Sequence, residues 1–303
     1  MDSTIRGRWL ARLGKLRVDV ARGDPAPHKP LLLLVVMELA EQGLLPEMVL
    51  PLTPELAFQF STYWQIVAHR RSQAPDVRYP FYHLQSDGCW RAMGEDDQPA
   101  AERRLARYAD LATDFKECLE DPSFRTEARR ILITRYFPKD EWPALCTLLG
   151  LPLPTEDEVV SASSHRSPDE ANQRGREARF RLQVVPAYRY TCALTGHRIM
   201  TVSASSLIDA AHIHQFADSR NNDVTNGLAL SKNAHWLFDN GLWSIADDYT
   251  VLVAHEHFTE ESPDQKPLIA YQGQRIRLPS DPTFYPATAH LAWHRRKKFR
   301  GVR

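Results

Sequence analysis

The chain has 303 residues, with 38 basic and 38 acidic side chains and no net charge, so it can hold two domains with separate cores and is not a uniformly basic nucleic-acid coat. No apolar run approaches the roughly 18 residues that cross a bilayer, and Met1-Asp2-Ser3-Thr4 opens no apolar signal core; the expected location is the cytoplasm. Cys89, Cys118, Cys146 and Cys192 are too scattered for structural zinc or a disulfide framework and read as reduced, mostly buried thiols.

In chain order, Ile5, Trp9, Leu10, Leu13 and Leu16 recur at helical spacing and predict an amphipathic helix that ends before the turn Gly23-Asp24-Pro25. A second helix is expected from Pro30 through Ala40, stopped by Gly43. Its run Leu31-Leu32-Leu33-Leu34-Val35-Val36 is apolar on every side, which suits the centre of a core. A third helix covers residues 53–68. Residues 79–84 and 89–93 then flank Ser86-Asp87-Gly88, a hairpin signal that predicts a small β-wing.

Helices over residues 102–120 and 123–136 close a first domain, 1–150. Residues 151–172 are rich in Pro, Ser, Glu and Asp, including the acidic run Glu156-Asp157-Glu158, and read as a linker. A second domain, 173–303, opens with a basic helix bearing Arg174, Arg176, Arg179 and Arg181. It continues in short strands and turns to a basic end at Arg295, Arg296, Lys297, Lys298, Arg300 and Arg303. The expected fold class is α+β: a helix-rich domain with a β-wing, then a ββα unit.

That unit is where the chemistry concentrates. Leu207-Ile208-Asp209-Ala210-Ala211-His212-Ile213 reads as a strand ending in His212, and Asn226-Gly227-Leu228-Ala229-Leu230 lies beyond a polar loop. A helix follows over residues 231–239, with Ser231 in a favourable N-cap position and His235 and Asp239 four residues apart on one face. Phosphodiester cleavage needs a base for the attacking water and a cation for the charge that develops on phosphorus and the leaving oxygen. A neutral imidazole at His212 suits the base, Asn226 can fix the loop or the ring, and His235 can hold the metal. Asp209 is the nearest strand carboxylate, although alternation turns it with Ala211 rather than His212; Asp239 is the other candidate ligand.

Ala-Ala-His-Ile, then Asn-Gly-Leu-x-Leu, then His-x-x-Phe-Asp, spaced fourteen and nine positions apart, resembles the HNH nucleases over about residues 172–300. Cys192-Ala193-Leu194-Thr195-Gly196 at its opening and the trailing Trp293-His294-Arg295 fit the same pattern. The resemblance implies a ββα-metal fold and a DNA endonuclease, with His212 as general base, Asn226 as the motif asparagine and His235 as metal-binding histidine. Many relatives carry Asp or His where this chain has Ala211, so Asp209 or Asp239 is expected to replace that ligand. Mg²⁺ or Mn²⁺ suits such a mixed site. His214, His255, His257 and His290 read as ordinary polar residues.

In the first domain, Ala26-Pro27-His28-Lys29-Pro30 with the following leucines, and Arg78-Tyr79-Pro80-Phe81-Tyr82-His83 running on to Trp90, resemble the sulfur-binding domains of McrA-type, phosphorothioate-dependent restriction endonucleases over about residues 8–150. Sulfur in place of a non-bridging oxygen is larger and more weakly hydrated, so a reader needs an apolar cavity beside a cation. The resemblance offers His28, Lys29, Tyr79 and Pro80 for that cavity, His83 as a third wall and Arg78 as a phosphate or base contact. Arg70, Arg71, Arg103, Arg104 and Arg107 are further candidates for DNA contacts. It implies double-stranded DNA, sulfur-modified, as partner; since one HNH site cuts one strand, a double-strand break requires two copies, as in a homodimer, or two sequential events. The residues leave open a reader of modified cytosine, an inactive HNH module that binds DNA, and a nuclease acting on unmodified DNA.

Overall fold

The computed structural model describes residues 3–20, 23–45, 49–70, 74–154, 168–203 and 206–301. Residues 155–167, which hold most of the expected linker and its acidic run, lie outside them, as do Arg71, Arg303 and the side chain of Arg70. The chain divides into two compact units, Met1–Ala178 with Thr201–Ser205 and Arg179–Met200 with Ser206–Arg303.

The first unit is built around a helix that has no polar face. α1 (Ser3–Leu13) is followed by α2 (His28–Glu41), in which every residue from Leu31 to Met37 is fully buried. β1 (Val49–Pro51) precedes α3 (Pro54–Val67), whose Thr53 Oγ1 caps the Leu56 amide at 3.2 Å with Pro54 in the first turn. Then come α4 (Arg78–His83), β2 (Trp90–Met93), β3 (Tyr108–Leu111), α5 (Thr113–Glu120), α6 (Pro122–Tyr136) and α7 (Trp142–Leu149). α2 packs on α3, α4, α5 and α6, which is why its sequence is apolar all round. Gly43, at a φ of +67°, ends it.

Three expectations change here. Helix α1 stops at Leu13 because Tyr136 intervenes: its Oη donates to the Leu13 carbonyl (2.9 Å) and accepts from the Leu16 amide (2.7 Å), so Leu16 enters the core from an extended segment. Residues 79–84 are helix α4 and its 3-10 continuation, not a strand. Phe81 and Leu84, three apart, are both fully buried, and the Phe81 carbonyl accepts the Trp90 indole N–H at 2.8 Å. The Ser86-Asp87-Gly88 signal therefore ends a helical turn, with Gly88 at a φ of +72°. β2 pairs instead with β3, Trp90 opposite Leu111, in a sheet ordered β1-β3-β2. β3 lies inside the stretch expected to be one helix, where Ala109 and Leu111 are buried and alternate with half-buried Tyr108 and Asp110.

Helix α8 (Pro168–Ala187) crosses the division between the units. Its early turns belong to the first: Thr147 Oγ1 donates to Asn172 Oδ1 (3.1 Å), and Arg174 Nη1 donates to the Ile66 carbonyl (3.1 Å). Its later turns belong to the second, where Phe180, Val184 and Val185 are buried. There β4 (Ile208–His212), α9 (Phe216–Ser219), β5 (Gly227–Ser231) and α10 (Lys232–Asp239) form the ββα unit. β4 and β5 are antiparallel, with His212 opposite Gly227, and α10 packs on both strands. Gly227 sits so close to Val184 and Phe180 that a Cβ would collide with them. β6 (Trp243–Ile245) pairs with β7 (Val251–Val253), and α11 (Thr288–Lys297) packs on β6. Among the described residues no helix is long and apolar enough to cross a membrane.

Ser231 does not cap α10 with its side chain; its hydroxyl lies 3.7 Å from the buried Cys192 Sγ. His294 is also interior. Its ring stacks on Phe238 at 3.7 Å, with Nε2 3.1 Å from the Phe238 carbonyl and Nδ1 2.8 Å from Ser244 Oγ. Burial pushes its pKa down from 6.5 to about 4, against the favourable Phe238 carbonyl. An unfolded chain binds this proton near 6.5 and the folded chain only near 4, so the ring adds no pH dependence above that window and destabilises the fold progressively as pH falls through it. The loss should reach roughly 3 kcal/mol. Urea unfolding at neutral and acid pH should show this slope in the wild type and a flatter one in His294→Gln; equal slopes would sink the assignment.

Candidate functional site

β4 delivers His212 to the point where the chain leaves the sheet, and the neighbours of its ring include Phe180, Asn222 and, at 5.9 Å, Phe216. Phe180 of α8 stacks on it at 3.9 Å, with planes 7° apart, and Nε2 lies 2.8 Å from Asn222 Oδ1. An amide oxygen only accepts, so a ring that donates to it through Nε2 is the tautomer with its lone pair on Nδ1, the one a proton acceptor needs. Asn226 is fully buried and does not touch that ring. Its Oδ1 accepts from the His214 amide (2.8 Å), and its Nδ2 donates to the carbonyls of His214 (2.9 Å) and Asn221 (3.0 Å). Its own carbonyl accepts from the Ile213 amide at 2.9 Å. Of the two roles open to Asn226, loop or ring, it takes the loop.

His235 projects from α10 with Asp239 one turn on, Nε2 to Oδ2 3.3 Å, both partly exposed. Asp209 is engaged elsewhere: it pairs with Arg181, which also donates to the Ile208 carbonyl at 3.2 Å. The candidate ligands thus separate into a His235–Asp239 pair and an Asp209 held by a cation. Among the described residues no three His, Cys, Asp or Glu side chains converge as a ready metal cluster. One imidazole and one carboxylate side by side still suit a hard cation that keeps most of its waters and takes phosphate oxygens.

His214 and His290, read from sequence as ordinary, belong to the same neighbourhood. His214 stacks on Trp293 at 4.1 Å and faces His290 at 5.9 Å, while His290 Nε2 lies 3.4 Å from Asn221 Nδ2. Burial, then the nearby His214, lowers the His290 pKa, and Asp223 opposes them.

The first unit carries a cleft of about 580 Å³ lined by His28, Lys29, Tyr79, His83, Arg17 and Arg103, among others. Tyr79 stands half exposed between His28 (5.3 Å) and His83 (4.6 Å), and the Arg103 guanidinium lies 5.7 Å from its ring. Burial, then the charges of Lys29 and Arg103, lowers the His83 pKa, which favours a neutral ring. Two expected contacts are already used. Lys29 Nζ is paired with buried Asp87 at 2.6 Å and reaches Ser86 Oγ at 3.2 Å, so its charge faces inward. Arg78 is held bidentately by Asp76 at 2.9 and 3.0 Å. Burial would raise the Asp76 pKa, but these hydrogen bonds and the Arg78 charge outweigh it and lower it. Pro80 is buried and is not among the residues that line the cleft.

The exposed cations on the cleft wall are Arg17 and Arg103. Arg103 was one of the DNA-contact candidates; Arg17 was missed, because the bond from its amide to Asp87 Oδ1 (2.9 Å), which helps to hold its loop at the cleft, joins residues far apart in the chain. Arg104 pairs with Glu102, and Arg107 Nη1 donates to the Arg104 carbonyl.

Residues 192–246 match the family model described as HNH endonuclease, and residues 55–153 match that described as ScoMcrA-like, DNA sulfur-binding domain. No curated protein matches. Among solved structures the chain is similar to a sulfur binding domain of SprMcrA complexed with phosphorothioated DNA, at 21% identity and a TM-score of 0.40, covering 50% of this chain and 96% of that one. It is also similar to the Type IV phosphorothioation-dependent restriction endonuclease ScoMcrA, at 14% identity and a TM-score of 0.33, covering 78% and 94%. A third is the modification-dependent TagI restriction endonuclease, at 22% identity and a TM-score of 0.31; the match covers 41% of this chain and 39% of that enzyme.

Asn226→Ala would strand the His214 amide and two carbonyls. It should destabilise the loop by on the order of 1–3 kcal/mol. Amide exchange at His214 should accelerate before global unfolding, and unchanged protection there would contradict the loop-holding role.

Proposed function

We propose that this chain, which joins a segment matching a DNA sulfur-binding family to one matching HNH endonucleases, is a restriction endonuclease that reads phosphorothioate-modified DNA and hydrolyses a nearby phosphodiester. The observation that carries the catalytic half is His212, oriented by Phe180 and Asn222 at the end of β4 beside a loop locked by Asn226. The reading half rests on the family match together with an aromatic cleft whose wall also bears two exposed arginines.

In this reading, the first unit docks on the modified strand, and the second, from Arg179 on, carries the nuclease. His28, Tyr79 and His83 supply an apolar wall for the weakly hydrated sulfur, and Arg17 or Arg103 meets the phosphate charge. His212 takes a proton from the attacking water through Nδ1, and the Asn222 contact stabilises the imidazolium that results. His235 and Asp239 would hold Mg²⁺ or Mn²⁺. Bound there, the cation supplies neutralisation of the charge gathering on phosphorus and the leaving oxygen. Arg179, Lys297 and Arg300 are exposed and available to phosphates, which implies binding that falls steeply with salt. Arg174 is not, since it is hydrogen-bonded inside the first unit. One such site cuts one strand, so a double-strand break calls for two copies or two events. The compartment this reading implies is the cytoplasm.

The test is nicking of matched duplexes with and without one phosphorothioate, in Mg²⁺ or Mn²⁺. Cutting should be confined to the sulfur-bearing duplex, and His212→Ala should slow it by about 10²–10⁴-fold. Equal cutting of both duplexes would overturn the sulfur reading, preference for a modified cytosine would replace it, and binding without cutting in any metal would leave a DNA-binding module. Tyr79→Ala should weaken discrimination for the sulfur duplex while leaving the rate at saturating DNA near wild type; unchanged discrimination in a competition assay would remove Tyr79 from the cavity.

A further inference from the structure

Helix α10 has three faces, and the mechanism uses two. Ala234 and Phe238 point into the core, and His235 with Asp239 forms the candidate metal pair. The third carries Lys232 and Asn233, both exposed, and Trp236 one turn on. Trp236 is 62% exposed, whereas Trp9, Trp64, Trp90, Trp142 and Trp243 are 7% or less and Trp293 is stacked on His214. The tryptophan that the fold leaves in water is thus the immediate neighbour of His235. Successive helical residues are about 100° apart around the axis, so a ligand seated on the His235–Asp239 face extends over the Trp236 face.

If the ligand there is a DNA strand with its phosphate toward His235, the next surface along the helix meets the groove beside that phosphate. The three side chains match what a groove offers. An ammonium suits the flanking phosphates, a carboxamide suits the acceptors that A·T pairs show in the minor groove, and a large planar apolar ring suits the space between two base pairs. A surface for a protein partner would present further apolar residues around the tryptophan, but its neighbours one turn back are Lys232 and Asn233, and Asn240 Nδ2 lies against its carbonyl at 2.8 Å.

We propose that Trp236, flanked by Lys232 and Asn233, is a wedge that enters the minor groove and unstacks one base step next to the phosphate presented to His212 and His235, bending the duplex at the cut. This rests on the nuclease reading for the presence of DNA at α10. Trp236 is a positioning residue: it touches bases, not the reacting phosphate.

The experiment has two arms. In the first, 2-aminopurine is placed in turn at positions on either side of the phosphorothioate, and emission is read on binding of full-length protein in EDTA, where no cutting occurs. Wild type should raise emission at one step, and Trp236→Ala should abolish the rise while still binding the sulfur duplex. In the second, Trp236→Ala should slow nicking of intact duplex about tenfold or more. Its rate should return towards wild type on a duplex already kinked by a single-nucleotide gap at that step, and Trp236→Phe should lie between. No emission change with wild type, or equal impairment of Trp236→Ala on intact and gapped duplexes, overturns the wedge. If wild type cuts nothing, the nuclease reading fails, and the emission arm still decides whether Trp236 unstacks DNA.

Discussion

A buried carboxamide cannot be left unpaired, and in the second unit that constraint organises everything around it. Asn226, at zero exposure, offers two N–H groups and an oxygen, and the chain between β4 and β5 wraps so that His214 and Asn221 meet them. Desolvating those groups without partners would cost several times what each bond contributes net, so the loop has one way to close. Once closed, Asn222 falls within reach of His212, and β5 begins at once with Gly227 against α8. The ring of His212 is then clamped between an amide and a phenyl group. A base must be aimed before it is useful, and in the proposed reaction Phe180 and Asn222 would aim this ring.

The first unit meets a different constraint. A helix buried on every side gives a strong core but brings its own first turn inside with it, including Lys29. An ammonium that has lost most of its water needs a counter-ion, and Asp87 supplies one from the end of the helical turn after α4. Because Asp87 also accepts from the Arg17 amide, the same carboxylate pins the loop after α1 against α4. The cleft between them is therefore a by-product of neutralising one charge. Its aromatic wall comes from α2 and α4, and its exposed cations come from segments with no regular helix or strand, Arg17 before α2 and Arg103 in a 3-10 turn. The packed rings of His28, Tyr79 and His83 beside exposed guanidinium groups suit a ligand with one apolar atom on an anionic backbone.

The two halves of the molecule thus separate precision from reach. The proposed catalytic side chains sit where strands and a helix converge, with the His212 ring held by its neighbours, while the arginines proposed to meet a long anionic ligand stand exposed. Trp236 fits between these classes: its backbone is fixed by α10, and its ring is left to solvent.

What could be read from the amino acids alone was what depends on near neighbours. Pro30 announced a helix start, Gly43 a stop, and the uniformly apolar run of α2 a central position, because turn chemistry and burial periodicity act within a few residues. The order of His212, Asn226 and His235 was legible for the same reason: strand, loop and helix follow one another directly. Tertiary structure decided the rest. Residues 79–84 have the β-rich look of a strand, yet Phe81 and Leu84 share one helical face because α2 and Trp90 offer their partners there. β3 emerged from an apparent helix because β1 and β2 needed a strand between them. Lys29 and Asp209, both expected to serve a ligand, were claimed by Asp87 and Arg181, and His214 acquired Trp293 from across the unit. Those partners lie tens of positions away along the chain, and a local pattern carries no record of which distant charge or ring will fold against it.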